Sequence, residues 1–250
     1  MIKTITFTGA DDFINPEDLL NISKQYPHVE WGILFPSYGT GRFPSKQWVN
    51  KLTATVQINT LTPVKLCAHF CEPWVEKILL TPLYFTELVN NIGNDIMSQF
   101  KRIQLNFHGN NFKHEIPNVI ENLQLLIKNN PDFEFIVQDD GVNNFAVIPN
   151  ISLLLDKSSG AGFFNNTWYS KNRIEELNKL NISFGYAGGL GIDSLPTAVD
   201  QWRKENLTLD WIDMETKVRD GQGFSLPKVI EILEYMQPYI YKEKHASTRN

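Results

Sequence analysis

Eight short apolar runs, separated by longer stretches of helical character, constrain this chain more than any other feature. The runs are Ile2 to Thr8, Val29 to Phe35, Val64 to Phe70, Arg102 to Phe107, Phe133 to Gln138, Ile151 to Asp156, Ile182 to Ala187 and Leu209 to Met214. Each has the length and composition of a buried strand. Helices are expected over Asn15 to Gln25, Trp74 to Phe100, Ile116 to Asn129, Ser170 to Leu180, Ser194 to Glu205 and Ser225 to Tyr241. Strands and helices that alternate at this spacing imply parallel pairing through right-handed crossovers. A chain of 250 residues is an ordinary length for eight such units closed into one (β/α)8 barrel, so residues 1–250 are expected to form a single α/β domain.

Two spacings are irregular. The stretch from Trp74 to Phe100 is long and interrupted by Pro82 and Gly93, and the gap from Gln138 to Ile151 is too short for a full helix. Two helices carry start signals: Asp193 or Ser194 ahead of Pro196, and Ser225 ahead of Pro227.

With 42% hydrophobic and 20% charged residues the chain can bury a sizeable core. A net charge of −5 and the absence of any Lys/Arg run argue against nucleic acid or an anionic membrane as partner. The opening MIKTITFTGADDF lacks the apolar core and cleavage site of a secretory signal, which leads to the expectation of a cytoplasmic protein. Cys67 and Cys71, the only cysteines, share one face of a strand and are expected to be free thiols.

Alternation within the runs indicates which side chains face the barrel axis. In the fourth run Ile103, Leu105 and Phe107 would pack against the helices, which leaves Gln104, Asn106 and His108 inside. The same reasoning groups Lys65, Cys67 and His69, places Gln138 and Asp140 near the end of the fifth strand and Asp156 at the end of the sixth, and sets Asp213 with Glu215 on the eighth. Polar groups are costly inside a barrel unless paired, so a set converging at the strand C-termini indicates a ligand site. Glycine turns follow two of these strands, at Gly160 to Gly162 and at Gly188-Gly189. Glycine turns that open helices present backbone N–H groups suited to phosphate.

These motifs, in this order, resemble phosphoribosylanthranilate isomerase, a (β/α)8 enzyme of tryptophan biosynthesis. Ile2 to Thr8 followed by Asp11-Asp12 is similar to the opening strand V-K-I-C-G-I-T and its acidic pair. Gly32 to Ser37 with Arg42, Phe43 and Ser45 resembles the second strand and its S-x-R-Y loop. Gln104 to Gly109 is similar to Q-L-H-G, Leu153 to Asp156 with Gly160, Gly162 and Trp168 to L-L-L-D, G-G-T-G and F-D-W, and Ala187 to Leu190 to A-G-G-L. Asp213 to Val218 stands where the family has D-V-S-S-G-V.

The resemblance implies an Amadori-type rearrangement, with Asp156 as the acid and a cysteine on strand one as the base. Here Ile5 stands at the cysteine position, and Glu215, Thr216 and Lys217 replace Ser-Ser-Gly in the last phosphate turn. The expected catalytic set is therefore Asp156 with His108 or Glu215, and Asp12 is a further candidate. Arg42, Gly188, Gly189, Thr216 and Lys217 are expected to hold a phosphorylated small molecule.

Other readings stay open: Asp156 can cap its own turn or pair with Lys3, His108 can be a hydrogen-bonded core residue, and Asp139-Asp140 can be a solvated pair. Two cysteines and His69 on one strand lack the spacing of a structural zinc site. No metal or cofactor is called for, and the oligomeric state is not readable. Against an acid/base enzyme stands a barrel that has lost catalysis and serves as a ligand-binding or protein-interaction module.

Overall fold

The computed structural model describes residues 1–35, 41–106, 118–139, 145–156, 158, 164, 171–221 and 223–241. Eight strands close into an all-parallel barrel in the order β1 to β8: β1 Ile2–Thr8, β2 Val29–Phe35, β3 Lys65–Phe70, β4 Arg102–Leu105, β5 Glu134–Gln138, β6 Ile151–Asp156, β7 Ser183–Ala187 and β8 Leu209–Met214. The seam pairs β1 with β8, with Ile5 opposite Ile212. This is the (β/α)8 barrel expected from the alternation of runs, in register to within a residue or two at each strand.

Helices cover the outside. They are α1 Pro16–Gln25, α2 Lys46–Ile58, α3 Trp74–Leu80, α4 Tyr84–Ile92, α5 Asn94–Met97, α6 Val119–Asn129, α7 Lys171–Lys179, α8 Leu195–Lys204 and α9 Leu226–Met236. The long stretch after β3 is three helices rather than one, because Pro82 precedes α4 and Gly93, at φ 119°, ends it. Between β5 and β6 the described residues hold a 3-10 turn, Phe145–Val147.

The start signals act differently from the expectation. Ser194 and Ser225 occupy the N-cap positions of α8 and α9, yet neither side chain caps its helix, and the proline in each first turn is the signal that holds. Ser45 does cap α2 by accepting from Trp48 N at 3.1 Å, and Asp12 in turn grips the Ser45 backbone and hydroxyl.

Each strand sends alternate side chains in opposite directions. Ile5 and Phe7 of β1 join Leu19, Trp48 and Leu52 of the helices in the main core. An aromatic ladder crosses that layer, with Phe35, Phe70, Phe85 and Phe135 meeting edge to face at 5.4–5.9 Å. Burying each such ring contributes about 1.5–3 kcal/mol. Inside the barrel, Cys67, Ile136, Leu154 and Trp211 form a separate apolar tier. Below it Arg102 pairs with Glu30 at 2.8 Å and lies 4.1 Å from the centre of the Trp211 ring. Glu30 also accepts from Thr6 Oγ1 at 2.8 Å.

Candidate functional site

Above the apolar tier, at the C-terminal ends of the strands, a cavity of about 310 Å³ opens among Asp156, Asp213, Glu215, Gln104, His69 and Gly188. That volume suits a small molecule, and this end is where barrels of this architecture place their chemistry. Arg42, Gly189, Thr216 and Lys217 also line it, so the structure gathers at one mouth the expected site residues other than Asp12, which does not line it, and His108, which lies outside the described residues along with Asp140.

Asp213 is held from two strands. It projects inward from β8, is 8% exposed, and accepts from Thr8 Oγ1 at 2.7 Å and Gln104 Nε2 at 3.3 Å. Burial pushes its carboxyl up to about 6; the Thr8 and Gln104 hydrogen bonds pull the other way, the charge of Asp156 adds to the rise, and Arg102 opposes it. A carboxyl poised there can hold or release a proton near neutrality.

Asp156 ends β6. Its Oδ1 accepts from Ser158 N at 2.8 Å and Ser158 Oγ at 2.7 Å, so it caps its own turn while facing the cavity. It does not pair with Lys3, which meets Asp210 away from this cavity, beside Glu30 and Arg102. Gly188 and Gly189, at φ 101° and 62°, follow β7 immediately; a Cβ at Gly188 would stand 2.7 Å from Asp156 Oδ1. The turn does not run straight into a helix: α8 begins at Leu195. Ser194 Oγ braces the intervening loop, accepting from Gly191 N and donating to Gly189 O, both at 3.0 Å.

Among the described residues, the cations that line the mouth are engaged. Arg42 forms an ion pair with Glu215, and Lys217 reaches Asp193 at 2.8 Å. Burial raises the Glu215 carboxyl above its usual range, against the pull of Arg42. Asp12 stands apart from the cavity, held by Ser45, which removes it as a candidate base. Asp139 is buried and paired with Arg173 of α7 at 3.1 Å rather than solvated.

Strand one departs from the isomerase pattern in direction as well as identity. Thr6 and Thr8 point inward to Glu30 and Asp213, so Ile5, with 0% exposure in the outer core, points at the helices. A proton-transferring group at position 5 would not reach the mouth. The inward residue that sequence reasoning missed is Thr8, and its signal was the Thr4-Thr6-Thr8 alternation.

On β3, His69 is wholly buried and its imidazole is driven down to about 3 by burial. Cys71, just beyond β3, accepts from Asn106 Nδ2 at 3.2 Å, and burial raises its thiol. Both cysteines are free. Among the described residues no group of three or more His, Cys, Asp or Glu side chains is placed to hold a metal ion, and no helix is long and apolar enough to cross a membrane.

No model of a known family matches the chain, and no curated protein matches it. Solved structures do. The chain is similar to a Galdieria sulphuraria protein provisionally named a glycerophosphodiester phosphodiesterase, at TM-score 0.53 and 9% identity over 94% of this chain and 98% of that one. It is similar to the N-terminal domain of a Bacteroides vulgatus protein provisionally named an aldolase, at TM-score 0.52 and 14% identity over 92% and 79%. It is also similar to phospho-2-dehydro-3-deoxyheptonate aldolase from Thermotoga maritima, at TM-score 0.52 and 11% identity over 95% and 68%. At these identities the likeness is one of fold: the chain belongs among the (β/α)8 barrels, and its chemistry has to be argued from its own mouth.

Proposed function

We propose that this barrel is an enzyme of proton-transfer chemistry, isomerase- or lyase-type, acting on a phosphorylated small molecule of sugar type. The observation that carries this reading is the carboxyl pair of Asp213 and Asp156, converging on one cavity with Asp213 held near 6. In such chemistry one carboxylate removes a proton from the carbon beside an open-chain carbonyl; the C–H pair forms a C=C bond and the C=O π pair moves onto oxygen. The other carboxyl delivers a proton to that oxygen. Asp156 shares its strand-end place with the acid of phosphoribosylanthranilate isomerase, and Asp213 supplies the second group that Ile5 cannot. Gly188-Gly189, Thr216 and Lys217 suit the phosphate. The Lys217–Asp193 pair is exposed, so an incoming anion displaces it at a cost of about 1 kcal/mol or less.

A second reading, a ligand-binding barrel without turnover, is favoured by Ile5 in place of the strand-one cysteine and by Glu215, Thr216 and Lys217 in place of Ser-Ser-Gly. One experiment separates the two. The protein is incubated in D2O with a panel of aldose and ketose phosphates, following thermal protection and deuterium entry at carbon. The enzyme reading expects both, with exchange reduced by about 10²-fold or more in Asp156→Asn and in Asp213→Asn. Protection without exchange means a binding module; neither effect with any phosphosugar overturns both readings.

A further inference from the structure

His69 is an expensive residue to leave unexplained. It sits inside the barrel, its Nε2 is buried without a hydrogen-bond partner, and its imidazole stays neutral. Its Nδ1 lies 3.2 Å from Gln104 Nε2. The same Gln104 nitrogen is 3.0 Å from Asn106 Oδ1 and 3.3 Å from Asp213 Oδ2. Two oxygen acceptors fix that atom as the amide nitrogen, so His69 Nδ1 accepts and the ring proton is on Nε2. An amide nitrogen carries two protons, and here three acceptors surround it. The Gln104 protons are thus divided among His69, Asn106 and Asp213.

On the other side Thr8 donates to Asp213 Oδ1. A Cβ on Gly32 would stand 2.2 Å from Thr8 Oγ1 and 2.8 Å from His69 Nε2, so the missing side chain of β2 makes room for both. The four residues come from β1, β2, β3 and β4, and they enclose the inner side of the β8 carboxyl.

We infer that His69 is a positioning residue for Asp213, acting through Gln104: its Nδ1 competes with the Asp213 carboxylate for the Gln104 amide protons and so sets how readily that carboxyl keeps its own proton. The inference rests on the reading of Asp213 as the acid/base of the mouth, but its test reads the carboxyl directly. Among the described residues, the other charged or titratable groups that act on Asp213 are Asp156 from β6, Arg102 from β4, Cys67 from β3 and Glu215 beyond its own strand. All remain in place in the variants below.

The Asp213 side-chain carboxyl is followed by 13C NMR against pH, its resonance identified by its loss in Asp213→Asn. In His69→Leu the Gln104 protons pass to the carboxylate, and the Asp213 midpoint falls by about one pH unit, the size of one hydrogen bond to a charged group. In His69→Asn, whose side-chain oxygen replaces Nδ1 as acceptor, the midpoint stays close to that of the unaltered protein. In Gln104→Leu the carboxylate loses a donor and the midpoint rises by a similar amount. An unmoved midpoint in His69→Leu overturns the inference, and if that variant does not fold, an unmoved midpoint in Gln104→Leu overturns it. If the midpoints move as described while no sugar phosphate is bound or exchanged, the relay stands and the enzyme reading falls.

Discussion

Asp156 Oδ1 stands where a side chain on Gly188 would have to go, 2.7 Å from its Cβ position, so the carboxylate and the glycine turn are built as one piece. Gly188→Ala both strains a backbone at φ 101° and pushes Asp156 from its place. The expected loss is about 1–3 kcal/mol of stability together with loss of ligand protection. Gly221, with nothing within 4 Å of its Cβ position, is the control: Gly221→Ala leaves both unchanged. Equal behaviour of the two variants in thermal unfolding would remove the coupling between turn and carboxylate.

The ionic floor of the barrel gives a second prediction. Glu30 and Arg102 expose 3% and 12% of their side chains, so removing one charge strands the other. Arg102→Met is expected to cost about 3–5 kcal/mol in urea unfolding, and Glu30→Gln a comparable amount. The double variant Glu30→Gln/Arg102→Met, which leaves no stranded charge, recovers part of that loss. A double variant as unstable as the sum of the singles would show that the two charges do not act on each other.

The third prediction concerns pH. Asp213 is raised from 3.8 to about 6 in the folded protein, so between these values the folded state holds more protons than the unfolded chain. Its contribution to stability is therefore present below about pH 4 and is lost as pH rises through 6. His69, lowered to about 3, and His28, lowered to about 4, run in the opposite direction, so the total curve conceals the aspartate. Subtracting the stability of the native protein from that of Asp213→Asn isolates it: the difference should climb in favour of the variant from pH 4 to pH 6. A flat difference in urea titrations would show that the carboxyl is not raised.

Much of the fold was legible because parallel strands buried on both faces read as continuous apolar runs, and Ile151–Asp156 or Leu209–Met214 can hardly be anything else. The helix Lys46–Ile58 is harder to read, because Trp48, Val49 and Leu52 are spread among lysine, glutamine and threonine. Proline and glycine correctly marked the breaks after β3.

The mouth was legible one strand at a time, since inward parity follows from alternation. What connects residues across the barrel was not. Thr8 and Asp213 are 205 positions apart, and Arg42 and Glu215 are 173 apart. Nothing local in the sequence indicates that the arginine expected to clamp a ligand also meets a carboxylate of the chain. The strand-one error has the same origin: matching Ile5 to a family cysteine by motif overrode the Thr4-Thr6-Thr8 alternation, which carried the physical information about direction.

The apolar tier of Cys67, Ile136, Leu154 and Trp211 acts as a plug across the middle of the tube. Among the described residues this tier closes the tube from below, so whatever enters the cavity does so from the upper side. On the enzyme reading, spent product and new substrate would contend for that one side.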